Sequence, residues 1–267
     1  MLNSNFHTHT TFCDGKQTPE EIVRFAIDND FSAIGLSGHG YTPFDLRYCM
    51  KDTDGYITEV ARVKEQYRDV IDVFLGVEED CFAPVDRDRF DYIIGSCHYA
   101  YVNGTYYPID SSYDHFKRCL AAFDGDILRL AETYFHTFCE YIRRRKPDII
   151  GHFDVITKFD QVDVARFSCS SEYTTLARHY TAEAAKSGCV FEVNTGPVWR
   201  GFRTTPLPNA EVLYELKRLN APVMISSDSH SVDTLDFAVE ETRAYLKDIG
   251  FSHTVTFTRD GFARVQL

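Results

Sequence analysis

The sequence predicts an α/β protein with a parallel sheet of seven strands, closed or nearly closed into a barrel. Short apolar runs with strand character alternate with segments of helical spacing along nearly the whole chain. No linker, internal repeat or low-complexity segment divides the 267 residues, so residues 1–267 are expected to form one domain. Polar, histidine-rich motifs close most of the apolar runs, and in barrels of this class the reactive groups lie at the carboxyl ends of the strands.

The strands are recognised as short apolar runs that end in polar motifs. In chain order they are predicted at residues 5–9, 32–37, 73–78, 92–98, 148–152, 190–194 and 222–227. The tail, residues 254–267, alternates in polarity around Asp260-Gly261, which predicts a hairpin at the periphery.

The helices are marked by capping residues and helical spacing. Thr18-Pro19-Glu20-Glu21 combines a capping box with a proline in the first turn, so a helix begins there. Further helices are expected near 54–68, 172–187, 208–219 and 232–248, with Gly188 and Gly250 as terminating glycines. The connection 99–147 is far longer than usual. Its tyrosine-rich start could either wall a substrate pocket or simply pack against the barrel.

The composition limits the partners and the compartment. The net charge of −12 repels phosphate backbones and anionic headgroups, so we expect neither nucleic acid nor membrane as a partner. The start lacks the features of a signal peptide, and no apolar run is long enough to span a bilayer, so a cytoplasmic location is expected. The eight cysteines include no CxxC pair and are expected to be reduced thiols.

Six short motifs bring together six of the ten histidines and several carboxylates. They are His7-Thr8-His9, Ser37-Gly38-His39, Gly76-Val77-Glu78, Ser96-Cys97-His98, Gly151-His152 and Asp228-Ser229-His230. Imidazoles and carboxylates are ligands of zinc, manganese and iron. Burying so many ionisable groups without partners is costly, so they do not read as core residues. The motifs therefore predict a metal site with several ions.

The spacing within the motifs indicates which side chains act together. His7 and His9 are two apart on a strand and face one side, so one ion can take both. An isolated pair of this kind could equally be two satisfied or surface histidines, and the other motifs favour the metal. Asp14 could reach a second ion from the following loop or be a turn residue before Gly15.

Two further carboxylates have open roles. Glu78 and Glu79 are adjacent and point to opposite faces of a strand, so only one is expected to be a ligand, and Glu78 is preferred, with Glu79 and Asp80 as substitutes. Asp154, two residues after His152, could orient an imidazole or cap a helix. The predicted metal ligands are His7, His9, Asp14, His39, Glu78, His98, His152, Asp228 and His230.

The ordered series HTHT, SGHG, GVE, GSCH, GHFD and SDSH resembles the PHP (polymerase and histidinol phosphatase) superfamily of metal-dependent phosphoesterases. The resemblance runs from the first strand to the seventh. Within the superfamily the chain looks like the histidinol-phosphate phosphatases, because of the segments 95–98, 108–110 and 192–196 and of Arg200. The resemblance implies a distorted seven-stranded (β/α) barrel with three divalent ions, Zn, Mn, Fe or Co, in one cleft.

The same resemblance implies an assignment of ligands to ions. It gives the first ion to His7, His9, Glu78 and Asp228. Glu78 would bridge to a second ion that His98 and His152 bind. The third ion would be bound by Asp14, His39 and His230. Many members of the superfamily have His where Asp14 stands, and Asp where Gly38 stands.

The expected reaction is hydrolysis of L-histidinol phosphate to L-histidinol and phosphate, a step of histidine biosynthesis. A metal-bridging hydroxide, held by Glu78, His98, His152 and Asp228, would attack phosphorus directly. No motif supplies an activated Ser, Cys or Asp nucleophile, so no phosphoenzyme is expected. The alternatives are a phosphoesterase for other monoesters, such as nucleotides or sugar phosphates, and a non-catalytic metal-binding protein.

Three cations are candidates for binding the phosphate group of the substrate. Arg200 comes first, because its planar guanidinium matches phosphate oxygens and it follows the sixth strand, which has no evident metal ligand. Arg203 and Lys158 are weaker candidates, and each also fits a surface charge.

Overall fold

The computed structural model describes residues 3–162, 167 and 169–267. The strands in this part of the chain are β1 (Asn3–Asn5), β2 (Phe31–Leu36), β3 (Asp72–Asp80), β4 (Tyr92–Ser96), β5 (Tyr99–Val102), β6 (Thr105–Pro108), β7 (Ile149–Ile150), β8 (Val190–Asn194), β9 (Val223–Ser226), β10 (His253–Thr258) and β11 (Gly261–Gln266). The helices are α1 (Pro19–Asp28), α2 (Thr53–Gln66), α3 (Tyr113–Ala122), α4 (Ile127–Arg145), α5 (Ser171–Ala185), α6 (Gly196–Trp199), α7 (Ala210–Arg218) and α8 (Val239–Ile249).

Seven of these strands form one parallel sheet in the order β1-β2-β3-β4-β7-β8-β9. The two edges approach each other beyond the ends of β1 and β9, where Thr8 and Ser229 form an isolated parallel bridge. There the amide of His9 donates to the carbonyl of Ser229 (2.8 Å), and the amide of Ser229 donates to the carbonyl of His7 (3.0 Å). The sheet is therefore a nearly closed barrel, and the predicted fold class is confirmed.

Aromatic side chains fill the amino-terminal end of the barrel. Tyr92 is buried there and its hydroxyl donates to the carbonyl of Phe6 (2.6 Å). Gly35 and Gly76 leave room for this ring, since a Cβ at either position would lie 2.2 Å from Tyr92 atoms. Phe257 of β10 covers the same end, 5.4 Å from the Tyr92 ring. The predicted hairpin is confirmed, and Phe257 packs on this end of the barrel while most residues of β11 are exposed.

The boundaries of several elements differ from the sequence prediction. β1 ends at Asn5 instead of residue 9, because the Asn5 amide donates to the carbonyl of His7 (3.3 Å) and to Ser227 Oγ (2.7 Å) where strand pairing would otherwise continue. The last long helix begins at Val239 instead of 232, since Ala238 has a left-handed backbone (φ +56°) that interrupts it. The first helix has the predicted capping box, with Thr18 accepting from the amide of Glu21 (3.3 Å).

The long insert contains the hairpin β5–β6 followed by α3 and α4. The hairpin packs on the loop after β2, where the rings of Phe44 and Tyr106 stack at 3.9 Å. Tyr99 lines the central cavity while Tyr106 packs on Phe44, so the tyrosines serve both of the roles left open by the sequence. All eight cysteines lie in the described part of the chain and are free thiols, as predicted. Of the helices described, none has the length and apolar character to cross a bilayer.

Candidate metal centre

The nine predicted metal ligands converge at the carboxyl ends of the barrel strands. They surround the floor of a cavity of about 390 Å³, a volume typical of small-molecule sites. Seven of them line this cavity, namely Asp14, His39, Glu78, His98, His152, Asp228 and His230. His7 and His9 lie directly beneath and are fully buried. The structure thus brings together every ligand candidate that the motifs indicated.

Glu78 is the centre of the cluster, and its two carboxylate oxygens face different neighbours. Oε2 lies 2.8 Å from His39 Nδ1, 3.3 Å from His7 Nε2 and 3.6 Å from His9 Nε2. Oε1 lies 3.1 Å from His98 Nε2 and 3.0 Å from His152 Nε2. One carboxylate that presents its two oxygens to separate sets of imidazoles has the arrangement needed to bridge two ions.

The first group of ligand atoms fits a divalent cation. It comprises His7 Nε2, His9 Nε2, Glu78 Oε2 and Asp228 Oδ1, and the last is 3.7 Å from His7 Nε2 and 3.1 Å from His9 Nε2. Ligands about 2.0–2.2 Å from one tetrahedral ion are separated by about 3.3–3.6 Å. Two of these atoms, Nε2 of His7 and of His9, are buried and make no hydrogen bond within the described residues, and the buried Oε2 of Glu78 is surrounded by imidazole nitrogens. Buried donors and acceptors without partners are rare unless a ligand serves them.

A second group forms around Asp14. Its Oδ1 lies 3.3 Å from His230 Nε2, 3.8 Å from His39 Nε2 and 3.6 Å from His9 Nδ1. The imidazole of His9 therefore faces both this group and the first one. A neutral imidazole has a single acceptor nitrogen, so His9 can serve only one ion in that form. Asp14, His39 and His230 remain for the other ion, which agrees with the grouping that the resemblance implied.

The electrostatics of the cluster keep its central carboxylates ionised and divide its histidines. Although burial opposes it, nearby carboxylates raise the pKa of His7, His39 and His98, so metal binding at these rings displaces a proton. Burial would raise the pKa of Glu78, but His39, His7 and His98 hold it well below its usual range. For Asp228, burial is likewise outweighed by Arg200 and His7, which keep the pKa of this carboxyl well below its usual value. Burial lowers the pKa of His9 to about 3, helped by His230 and His39, so this ring is neutral. Ionised carboxylates and a neutral imidazole are the forms that coordinate.

Glu192 of β8 orients two of the ligands, a role that the sequence analysis missed. Its Oε1 lies 2.6 Å from His7 Nδ1, which turns Nε2 of that ring toward the cluster. Its Oε2 accepts from the backbone amide of His152 (2.7 Å). A signal was present in the sequence, because Glu192 is a carboxylate between Phe191 and Val193 in a strand buried on both faces.

The other carboxylates of β3 support the site from outside. Asp80 Oδ2 lies 3.2 Å from His98 Nδ1 and accepts from the His98 amide (3.1 Å), so it orients this ring. Glu79 points to the opposite face of the strand, as expected, and accepts two hydrogen bonds from Arg145 (2.9 and 2.6 Å) and one from Tyr141 (2.7 Å).

Asp154 does not orient an imidazole, and that alternative is wrong. Its Oδ2 accepts from the amide of Asn209 (2.9 Å), while its Oδ1 and His152 Nδ1 make no hydrogen bond within the described residues. Asp154 does hold the N-cap position of a short 3-10 turn, but without a capping hydrogen bond from its side chain. The carboxylate instead ties this turn to the segment before α7.

The three candidate phosphate-binding cations lie in different environments. Arg200 lines the cavity, with Nη1 3.1 Å from Asp228 Oδ2 and Nη2 2.9 Å from His230 Nδ1. Lys158 also lines the cavity and is largely buried, not a surface charge.

Arg203 is not among the residues that line the cavity, so its predicted role in phosphate binding is wrong. Its guanidinium donates to the carbonyl of Thr157 (2.8 Å) and to the side chain of Asn209. The reason is that the turn after β7 and the start of α7 present these acceptors toward the interior, which holds Arg203 inside as a structural link.

Comparison with known protein families identifies the family to which this chain belongs. A family model described as the PHP domain matches residues 5–196, which include seven of the nine clustered ligands and the motifs of the first five strands. The chain belongs to the PHP family.

Similar proteins match nine-tenths or more of this PHP chain. A probable histidinol-phosphatase of Schizosaccharomyces pombe is 26% identical, over 92% of this chain and 86% of its own length. A histidinol-phosphatase of Bacillus subtilis is 23% identical, over 90% of this chain and 98% of its own. A crystal structure of histidinol phosphate phosphatase from Lactococcus lactis, complexed with zinc, L-histidinol and phosphate, has a TM-score of 0.70 at 18% identity and covers 98% of both chains. This last likeness supports the fold.

We predict that Glu192→Gln weakens metal binding without unfolding this PHP protein. The amide keeps the shape of the side chain but removes the charge that faces His7 Nδ1. Losing a hydrogen-bond partner of a metal-binding histidine costs about 10–100-fold in metal affinity or activity. Metal titration of the apoprotein measures this loss. A metal affinity within threefold of that of the parent protein would show that Glu192 does not support metal binding.

Proposed function

We propose that the protein is a metal-dependent phosphomonoesterase that hydrolyses L-histidinol phosphate to L-histidinol and phosphate. The observation that carries the proposal is the convergence of nine imidazole and carboxylate ligands on one cavity that Arg200 and Lys158 also line. Two relatives named histidinol-phosphatase support the choice of substrate, because their similarity covers 92% and 90% of this chain.

The ligand sets fit three divalent ions, of zinc, manganese, iron or cobalt. His7, His9, Glu78 and Asp228 would hold the first, Glu78, His98 and His152 the second, and Asp14, His39 and His230 the third. When bound, such ions neutralise phosphoryl oxygens and lower the pKa of bound water to about 7, which provides a hydroxide for direct attack on phosphorus. Glu78, His98, His152 and Asp228 would fix the place of that hydroxide.

The cavity wall would bind the phosphoryl group of the substrate. Arg200 is held by Asp228 and His230, so its guanidinium lies at the edge of the ligand cluster with little freedom. Lys158 is fixed by its hydrogen bond to the carbonyl of Asp110 (2.7 Å). A guanidinium and an ammonium that are already ordered lose little entropy when they bind phosphate oxygens.

We expect phosphatase activity to disappear on chelation and to return with added divalent metal. The apoprotein keeps Arg200 and Lys158 but loses the charges that neutralise the phosphoryl oxygens. Phosphate release from L-histidinol phosphate, measured beside nucleotide and sugar monophosphates, tests both the activity and the substrate. A protein that binds metal but hydrolyses none of these esters would be a metal-binding protein without catalysis. A preference for another ester would support the phosphatase activity but show that the substrate is not L-histidinol phosphate.

Direct attack predicts that no phosphorylated side chain accumulates during turnover. Ser111 is the hydroxyl to examine, because it lines the cavity and its Oγ lies 2.5 Å from His115 Nδ1. Acid-quenched turnover followed by mass spectrometry should show an unmodified chain, and Ser111→Ala should keep its activity within threefold. Phosphoserine at this position would replace direct attack with a two-step mechanism.

A further inference from the structure

Asp110 is a carboxylate of the cavity wall that no step described so far employs. It follows Pro108 and Ile109 at the end of β6, and its side chain is largely buried. We propose that Asp110 binds the ammonium group of the substrate and so selects phosphate esters of amino alcohols. This inference rests on the proposed function, because it concerns the substrate of that same cavity.

Elimination among the carboxylates of the cavity favours Asp110. Those that line it in the described residues are Asp14, Asp45, Glu78, Asp110 and Asp228. Three of the five belong to the metal-ligand cluster. Asp45 accepts hydrogen bonds from Arg47 (2.8 and 2.5 Å) and Tyr99 (2.9 Å), and these hold its pKa down to about 2. Asp110 is the carboxylate left with capacity for a ligand.

The carboxylate of Asp110 forms a long ion pair with Lys158 but no hydrogen bond with it. Lys158 Nζ donates to its backbone carbonyl (2.7 Å) and lies 3.8 Å from its Oδ2, beyond hydrogen-bond distance. Within the described part of the chain, the two carboxylate oxygens accept no hydrogen bond. The backbone is fixed by Ile109, which is fully buried and whose amide donates to the carbonyl of His98 (3.0 Å). An ordered carboxylate with free acceptors suits an ammonium ligand.

The position of Asp110 matches the covalent structure of the substrate. In histidinol phosphate the amine is on the carbon next to the one that bears the ester oxygen, so the ammonium must lie close to the phosphate subsite. Asp110 borders that subsite, because its Oδ2 lies 3.8 Å from Lys158 Nζ and both residues line the same cavity as Arg200. Without an anion at this place, Lys158 and Arg200 would repel the ammonium. The uncharged rings of Tyr48, Tyr99 and Phe202 also line the cavity.

The test compares Asp110→Asn with the parent enzyme on two substrates, L-histidinol phosphate and the same ester without its amine, 3-(imidazol-4-yl)propyl phosphate. We expect the parent to prefer the amine-bearing ester, and the variant to lose about 10–100-fold in kcat/KM for that ester alone, as for one charged hydrogen bond. Asp45→Asn is the matched control, and it should leave the ratio of the two kcat/KM values within threefold of the parent's.

Inhibition by products separates amine recognition from an effect through Lys158. Asp110→Asn should weaken inhibition by L-histidinol at least tenfold and change inhibition by inorganic phosphate less than threefold. Equal losses for both esters, together with weaker phosphate inhibition, would make Asp110 a positioning residue for Lys158 and overturn the inference. A parent enzyme that hydrolyses both esters equally also overturns it, while the phosphatase proposal stands. A parent enzyme inactive on both esters removes the phosphatase proposal itself.

Discussion

Glu78→Gln should abolish most of the activity and remove bound metal. The substitution keeps the volume of the side chain but takes away the charge that faces His7, His9, His98 and His152. Breaking a buried charge pair costs about 3–5 kcal/mol, which corresponds to roughly two to four powers of ten in kcat/KM. Elemental analysis of protein purified without chelators should show at least one ion fewer per chain.

Glu79→Gln provides the control, because it makes the same chemical change at the next residue of the same strand. Glu79 faces Arg145 and Tyr141 on the outer side, so its replacement should lower the melting temperature and leave the metal content unchanged. If both variants keep the full metal content of the parent protein, Glu78 is not a bridging ligand. A loss of metal from Glu79→Gln as large as that from Glu78→Gln would mean that folding, and not coordination, explains both.

The architecture was predictable because its signals are local and repeated. Each barrel strand is an apolar run such as Val190–Asn194, and each is followed by polar residues at the end where parallel strands of a barrel place their reactive groups. The residue at which each strand ends could not be predicted from the sequence. β1 ends at Asn5 because an asparagine side chain takes over hydrogen bonding to Ser227, which lies 222 positions away in the sequence. No local pattern records such a contact.

The candidate ligands were predictable by type and spacing, whereas their supports were not. A histidine at a strand end shows its function through its chemistry, but the residue that orients it comes from a distant strand. Glu192 contacts His7 across 185 positions, so a carboxylate inside an apolar strand indicates a special role but does not identify its partner.

Arg203 shows the opposite error in prediction. Its guanidinium suits phosphate, and it follows the sixth strand at the end of the barrel where the cavity lies. The local course of the chain nevertheless directs its side chain into the interior, where it contacts Thr157 and Asn209. Residue type therefore predicts capability, and only the packing decides which capable residue faces the substrate.

Arg200→Ala should raise KM and lower kcat/KM by about one to two powers of ten, since a hydrogen bond to a charged group contributes about 1.5–3 kcal/mol. Steady-state kinetics and the inhibition constant of inorganic phosphate measure the effect. The variant should bind both the substrate and inorganic phosphate more weakly than the parent enzyme. The kcat/KM of Arg200→Lys should lie between those of the parent enzyme and Arg200→Ala, because an ammonium keeps the charge but not the planar pair of donors. Arg203→Ala should destabilise the fold and leave phosphate inhibition unchanged.

The same variant separates two roles that the structure joins in one side chain. Arg200 faces the cavity, but it also donates to Asp228 and lies 2.9 Å from His230 Nδ1, so its loss could act through the metal ligands. If Arg200 binds the substrate phosphate, the alanine variant retains its metal content and binds phosphate weakly. If Arg200 only positions the ligands, metal affinity falls while the metal-saturated variant regains the phosphate inhibition of the parent. Kinetics unchanged at every metal concentration would exclude Arg200 from both roles.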